Sequence, residues 1–207
     1  MNNLSKALFL PALLAFMFYQ TGCINLKPPA DGIHYYILSP LEEAEDTSTN
    51  DGEVILGLLP IALPEYLDTG HIALRNNQHE LTFSENNRWA GSLGSSIAQS
   101  LRQNLIDTGS VRTVIPAPWP ENNAISYILQ VGIDHFEGTA DGMAILAAHW
   151  ALKKADEKII AEDKAWIVRR WNGQDYTDLV RALNEGCRAL AERIAADLLE
   201  EEAPPQK

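Results

Sequence analysis

The sequence predicts an α+β fold: one domain in which two amphipathic helices pack on one face of a largely antiparallel sheet. Three patterns carry that expectation. Residues 92–106 and 175–200 repeat apolar side chains at spacings of three and four, the period of a helix with one buried stripe. Between them, residues 126–168 hold three apolar, β-prone runs separated by turns, the signature of a meander. Each helix has a single stripe to bury, and a sheet face accommodates both.

Taken in order, residues 33–38 read as a first strand with Tyr35 and Tyr36 on opposite faces, and residues 40–52 as an acidic, turn-rich exposed loop. Residues 53–59 form a strong strand stopped by Pro60, and residues 61–67, which contain Pro64, suit an edge or a bend. Residues 71–75 and 80–83 fit a hairpin around Asn76-Asn77. The first helix places Leu93, Ile97, Leu101 and Leu105 on one face, with Ser92 as N-cap and Gly109 as stop. A short strand at 111–115 and a proline-rich loop at 116–123, with Trp119 exposed or wedged, lead into the meander.

In the meander, Tyr127, Leu129, Val131 and Ile133 alternate with polar or small residues. The chain turns at 138–142, runs back over 143–152, turns at 153–158 and returns over 159–168. The middle strand is apolar on both sides, as expected of a strand covered on both faces. The last helix carries Leu179, Leu183, Cys187, Leu190, Ile194 and Leu198, with Asp175 and Asp178 as a capping pair. The domain is expected to span 33–200, and residues 201–207 to form a disordered tail.

The N-terminus has a different logic. One lysine precedes an almost unbroken apolar run at 7–18, too short to span a bilayer of roughly 30 Å as a helix and of the length of a signal-peptide core. Tyr19-Gln20-Thr21-Gly22-Cys23 follows, with small residues leading to a cysteine. This resembles the bacterial lipobox, with Gln20 where leucine is usual. The resemblance implies that residues 1–22 are a signal peptide, that Cys23 is lipidated, and that residues 23–32 are a tether. Several acyl chains on one cysteine hold a protein stably where one holds it marginally. Ile24 stands where an aspartate retains many such lipoproteins in the inner membrane, which points to the outer membrane.

Cleavage before Cys23 leaves 185 of the 207 residues, enough for one domain, and moves the formal charge from −12 to −13 by removing Lys6. Such acidity argues against nucleic acid as a partner and against adsorption to anionic lipid through a basic patch. With Cys23 lipidated, only Cys187 remains, so no intramolecular disulfide forms, and its place on an apolar stripe predicts a buried, inert thiol. Hydrolase, phosphate-loop and zinc signatures (G-x-S-x-G, G-x-x-x-x-G-K, H-E-x-x-H and paired C-x-x-C) do not occur in the chain. The five histidines are scattered, and His135 and His149 sit on neighbouring strands without being cross-strand partners. No catalytic, cofactor-binding or metal-ligating residues are assigned, and the chain is read as a non-enzyme.

Several ordered blocks carry a family resemblance: Tyr35-Tyr36-Ile37-Leu38, then Leu63-Pro64-Glu65-Tyr66-Leu67-Asp68, then Ile72-Ala73-Leu74-Arg75, then Arg88-Trp89-Ala90 at a helix start with Leu93. The strand ending in His149-Trp150-Ala151-Leu152 and the final helix match in kind. In this order they resemble the auxiliary lipoproteins of ABC-type transport systems, of the paraquat-inducible kind. Thr69-Gly70 depart, standing where a basic residue and proline are common.

The resemblance implies a lipid-anchored outer-membrane protein facing the periplasm. It would act as a docking or conduit partner of an MCE-domain periplasm-spanning protein and of inner-membrane transport components in intermembrane lipid transport. It also implies a homo-oligomer. The other classes weighed are an outer-membrane assembly lipoprotein, like the one that plugs the lipopolysaccharide translocon, and a periplasmic hydrolase. Within the blocks, Pro64, Tyr66, Leu67, Arg75 and Trp89 are the candidate interaction or structural residues. Pro64 with Tyr66-Leu67 would make a stiff apolar bend suited to a contact surface, or Tyr66, Leu67 and Trp89 would pack as core under the first helix. Arg75 is expected to pair with Glu65 or Asp68.

Overall fold

A computed structural model describes residues 32–39, 53–120, 124–154, 156 and 158–202. The expected signal peptide, Cys23, the tether up to residue 31 and the 40–52 loop lie outside the described residues. The described residues from Ile33 onward form one compact unit; of the expected tail, residues 203–207 lie outside the described residues.

The strands are β1 (His34–Tyr36), β2 (Val54–Leu58), β3 (His71–Asn77), β4 (Glu80–Trp89), β5 (Val111–Pro116), β6 (Tyr127–Thr139), β7 (Met143–Lys154) and β8 (Ile159–Arg170). A single 3-10 turn at Glu65–Leu67 precedes β3, and the helices are α1 (Leu93–Asp107) and α2 (Tyr176–Glu202). All eight strands join one sheet.

β6 is its axis. Along one edge β7 pairs antiparallel over nearly the whole length, and β8 pairs antiparallel with β7. The other edge is shared by one continuous stretch of chain. β2 pairs parallel with Tyr127–Leu129, Ala62 bridges Gly132, and β3 pairs parallel with Gly138 and Thr139. The proline-containing segment at 61–67 is the bend in that stretch. β5 lies parallel outside β2, β4 antiparallel outside β3, and β1 parallel outside β4. Antiparallel ladders hold most of the paired residues, and the four parallel pairings are all shorter than β6–β7 and β7–β8.

A β-bulge in β6 decides which side chains face the helices. Ile133 pairs with Ala148 but His135 pairs with Ala147, so Asp134 is the extra residue. Before the bulge, Leu129, Val131 and Ile133 point into the core; after it, Phe136 does. His135, Glu137 and Thr139 therefore lie on the opposite face. His135 pairs with Ala147, two residues later than a turn centred at residue 140 predicts, because the turn is centred at residue 141 and the ladder from Gly138–Ala144 back to His135 is unbroken. Gly138 shares the helix face, and a Cβ there would come within 2.8–3.0 Å of Leu74 and Leu179. Glycine is what lets α2 lie directly on the sheet.

Both helices bury the expected stripes. Leu93, Ile97, Leu101 and Leu105 of α1 and Leu179, Leu183, Cys187, Leu190, Ile194 and Leu198 of α2 are buried. The Ser92 hydroxyl caps α1 by accepting from Ser95 N–H (3.4 Å), and Gly109 takes a φ of 77° just beyond its end. Asp175 accepts from Thr177 N–H (2.8 Å) and Asp178 from Asn172 N–H (2.8 Å) at the start of α2. The helices also meet through a small polar seam. Ser100 Oγ donates to Asn184 Oδ1 (3.0 Å), Asn104 Nδ2 donates to the Ser100 carbonyl (2.8 Å), and Asn184 Nδ2 donates to the Ser39 carbonyl. Each of these three side chains makes at least one hydrogen bond within the seam, which offsets the cost of burying them between the helices. Nearer the C-terminus, Trp150 Nε1 donates to Asp197 Oδ2 (2.7 Å), tying α2 to β7.

Several sequence expectations shift. The hairpin turn is at Gln78-His79 rather than Asn76-Asn77, because both strands are longer than expected. β4 runs on to Trp89, so Arg88-Trp89 end a strand and the helix starts only at Leu93. Glu201 and Glu202 continue α2 instead of opening a tail. Trp119 is wedged, its ring 3.2 Å from where a Cβ on Gly57 would stand. β7 is fully covered on the helix face, while on the other face Ala147, between His135 and Trp166, is the one buried residue. Ala144, Leu146, Ala148, Trp150 and Leu152 face the helices, whereas Met143, Ile145 and Ala151 on the other side are half-buried. Beside them Trp166 (58 % exposed) and Val168 are open to solvent.

Cys187 is fully buried between the helices and the sheet, and burial pushes its thiol pKa up to about 12, opposed in part by the contact with Ser100. Below the ordinary thiol range both folded and unfolded chains hold the proton. Above it the unfolded chain loses the proton while the folded one keeps it, so stability falls as pH rises toward 12. Between pH 9 and 10.5, denaturant titrations should show wild type losing stability faster than Cys187→Ala, by up to about 1.4 kcal/mol per pH unit. Parallel pH profiles for the two proteins would refute the assignment.

Candidate functional site

The open face of β6 holds a polar cluster built around Glu137, a residue that the sequence reading did not single out. Its carboxylate is fully buried although it lies on the face away from the helices. Arg75, from β3, reaches it with Nε 2.6 Å from Oε1. Tyr66, from the 3-10 turn, places its hydroxyl 2.9 Å from Oε2 and 3.1 Å from the Asp134 carbonyl. Phe136 N–H donates to Oε2 (3.1 Å), and His135 Nδ1 lies 2.9 Å from Oε1. The same His135 nitrogen is 3.2 Å from Arg75 Nη2. One nitrogen cannot both donate to the carboxylate and accept from the guanidinium, so the imidazole tautomer selects one of the two contacts.

The five candidate residues divide accordingly. Leu67 and Trp89 are core, with the Trp89 ring centroid 5.9 Å from that of Phe136. Pro64 supplies the extended residue before the 3-10 turn, and its carbonyl accepts from Leu67 N–H (3.0 Å). Tyr66 is half-buried against the core with its hydroxyl in the cluster. Burial and the adjoining carboxylate raise its pKa, so the hydroxyl remains a donor. Arg75 pairs with Glu137 and not with Glu65 or Asp68, because parallel pairing of β3 with β6 lays it beside residues 137–139. His135 and His149 are indeed not cross-strand partners: His149 sits over Gly132, with Nδ1 3.2 Å from Asp134 Oδ2.

Trp166 continues the cluster toward β8, its ring edge-on to His135 at a centroid distance of 5.0 Å. Arg75, Gln78, His135, Asp141, Ile145 and Trp166 line a shallow cavity of about 620 Å³ there. A second groove, of about 490 Å³, runs between α1 and the β2–β5 ends, past Pro60, Ile61, Ser95, Arg102 and Pro116.

Chemically, both Glu137 oxygens are engaged, and a carboxylate so held is a clamp rather than a free general base. It joins the bend at 64–67, strand β3 and the bulge of β6. Among the described residues no group of three metal-ligating side chains comes together, and no helix is long and apolar enough to cross a membrane. A sequence signal for the cluster did exist: Glu137 is an acid inside an apolar strand, just after the alternation breaks.

The asymmetry of exposure gives a ranked prediction. The Arg75 side chain is 20 % exposed and that of Glu137 is 0 %. Arg75→Met strands a buried carboxylate and should cost about 3–5 kcal/mol in denaturant unfolding. Glu137→Gln leaves a guanidinium that can turn to water and should cost about 1–2 kcal/mol. The reverse order would contradict the clamp.

Comparison with known proteins agrees with this architecture. Residues 36–195 match the family described as the ABC-type transport auxiliary lipoprotein component. The chain is 23 % identical over 150 residues to the intermembrane transport lipoprotein PqiC of Escherichia coli K12, covering 72 % of this chain and 78 % of that one. Its fold is similar to the crystal structure of an uncharacterized protein, with a TM-score of 0.67 and 19 % identity over 81 % of this chain and 99 % of that one. A Xanthomonas campestris protein is similar too, with a TM-score of 0.63 and 14 % identity over 82 % of this chain and 98 % of that one. With the family match spanning every motif from Tyr36 to the body of the last helix, the chain belongs to the ABC-type transport auxiliary lipoprotein family.

Proposed function

We propose that this protein is a non-enzymatic lipoprotein, anchored in the outer membrane through Cys23 and facing the periplasm, where it serves an intermembrane lipid-transport system as a docking or conduit component. The observation that carries the reading is the family match over residues 36–195, joined to a lipobox-like Cys23 only ten residues before the folded unit begins at Ile33. The similar Escherichia coli protein is named for intermembrane transport, which supports the same role here. The partners proposed are an MCE-domain protein that spans the periplasm and the inner-membrane components behind it, met by a homo-oligomer of this chain. Chemistry fits a passive role: the buried carboxylate is saturated by Arg75, Tyr66 and the Phe136 N–H.

Two experiments test separate parts. Mass spectrometry of the mature N-terminus should show acylated Cys23, and thiol titration should find no reactive cysteine in the native protein and one after denaturation, Cys187. Two thiols on denaturation would remove the anchor. Affinity capture from envelope extracts should recover an MCE-domain protein; repeated failure with intact partners present would remove the transport role and leave the anchor untouched.

A further inference from the structure

β1 is short, lies at the edge of the sheet, and keeps an unusual surface. Ile33, Tyr35 and Ile37 alternate along and just beyond it and stay 47 %, 63 % and 60 % exposed; of the residues of opposite phase His34 is exposed, Tyr36 is half-buried and Leu38 is buried. A solvated face of an edge strand normally carries polar or charged side chains, which protect it from unwanted pairing. Here each outward position is a large apolar or aromatic group. Arg88 of β4 stands in register beside Tyr35 on the same side, and its guanidinium makes no ion pair among the described residues; its Nε donates to the Glu85 carbonyl (3.3 Å).

The covalent chain narrows what covers this stripe. Nine residues, 24–32, separate Cys23 from Ile33, and ten steps of at most about 3.6 Å span no more than roughly 36 Å. β1 is thus the described element nearest in chain to the anchor. A tyrosine flanked by isoleucines, with an arginine alongside, is the composition that partitions into the headgroup boundary: the ring and alkyl groups enter the acyl edge while the hydroxyl and guanidinium meet glycerol and phosphate.

We propose that the outward stripe of β1, formed by Ile33, Tyr35 and Ile37 with Arg88 beside it, docks onto the surface of the bilayer that holds the Cys23 lipid. This rests on the anchor reading above. The lipid fixes the protein to the membrane; the stripe fixes which way the domain faces, laying the β1 edge against the headgroups. Docking by the stripe alone is weak, and the tether makes it effective by raising the local concentration of membrane surface.

The experiment uses the mature lipidated protein reconstituted in phosphatidylethanolamine–phosphatidylglycerol vesicles. Cys23 is acylated there and Cys187 is buried, so a cysteine introduced by Ile37→Cys takes an environment-sensitive fluorophore alone. Ile33→Cys gives a second probe on the stripe, and Leu199→Cys, exposed on α2, gives a reference. Brominated lipids should quench the probes at 37 and 33 at least threefold more strongly than the probe at 199. Equal quenching at all three positions, with Cys23 acylated, would overturn the proposal and leave the anchor standing. Cross-linking between copies through position 37 without lipid quenching would assign the stripe to a contact between protomers and overturn it as well. An unmodified Cys23 by mass would remove the anchor reading and this one together.

Discussion

Much of this fold is organised by one buried negative charge. Taking a carboxylate out of water costs several kcal/mol unless opposite charge and hydrogen bonds replace the lost hydration. Glu137 has no exposed surface, and its replacements come from three separate places: Arg75 on β3, Tyr66 on the 3-10 turn and the neighbouring Phe136 N–H. Each donor stays in position only if the stretch from β2 to β3 keeps its course along the edge of β6. The bulge at Asp134 is the matching requirement on β6 itself. Without it the alternation would carry the 137 side chain into the helix-facing core, where apolar groups wait. With it, Phe136 fills the core against Trp89 and the acid meets its cation on the other side.

How far this was legible in the sequence follows from the same physics. The helices were readable because their stripes are local and periodic: Leu93 to Leu105 and Leu179 to Leu198 need only a 3.6-residue period and a cap. The meander was readable for the analogous reason, since β6, β7 and β8 are joined by short turns. Pairings across long separations were not. Arg75 and Glu137 are 62 residues apart, and nothing local in Ile72–Arg75 distinguishes a partner there from Glu65 or Asp68 close by. The parallel course of β2, Ala62 and β3 along β6 is likewise a tertiary choice. Trp89 is the intermediate case: the sequence leaves it open between core and contact surface and the structure buries it, while its placement at a helix start fails because the strand continues to within four residues of that helix.

The two faces of the sheet then divide the work. The helix face is closed by apolar stripes and by the polar seam of Ser100, Asn104 and Asn184, apart from the groove between α1 and the β2–β5 ends. The other face is closed only around Glu137. Toward one edge it leaves Trp166 and Val168 open, and toward the other it leaves the β1 stripe. A protein of net charge −12 gains nothing from leaving aromatic and branched side chains in water, and such groups on an otherwise acidic surface mark where other surfaces meet it. The Glu137 clamp ties β3 to β6, the strands that lie between these two patches. β1 joins that sheet through β4 and β3, so its outward stripe and the open face beyond it belong to one continuous sheet. On the proposal that Cys23 anchors the domain and β1 docks, this continuity of the sheet would give the Trp166 side one orientation to the membrane, as a docking role requires.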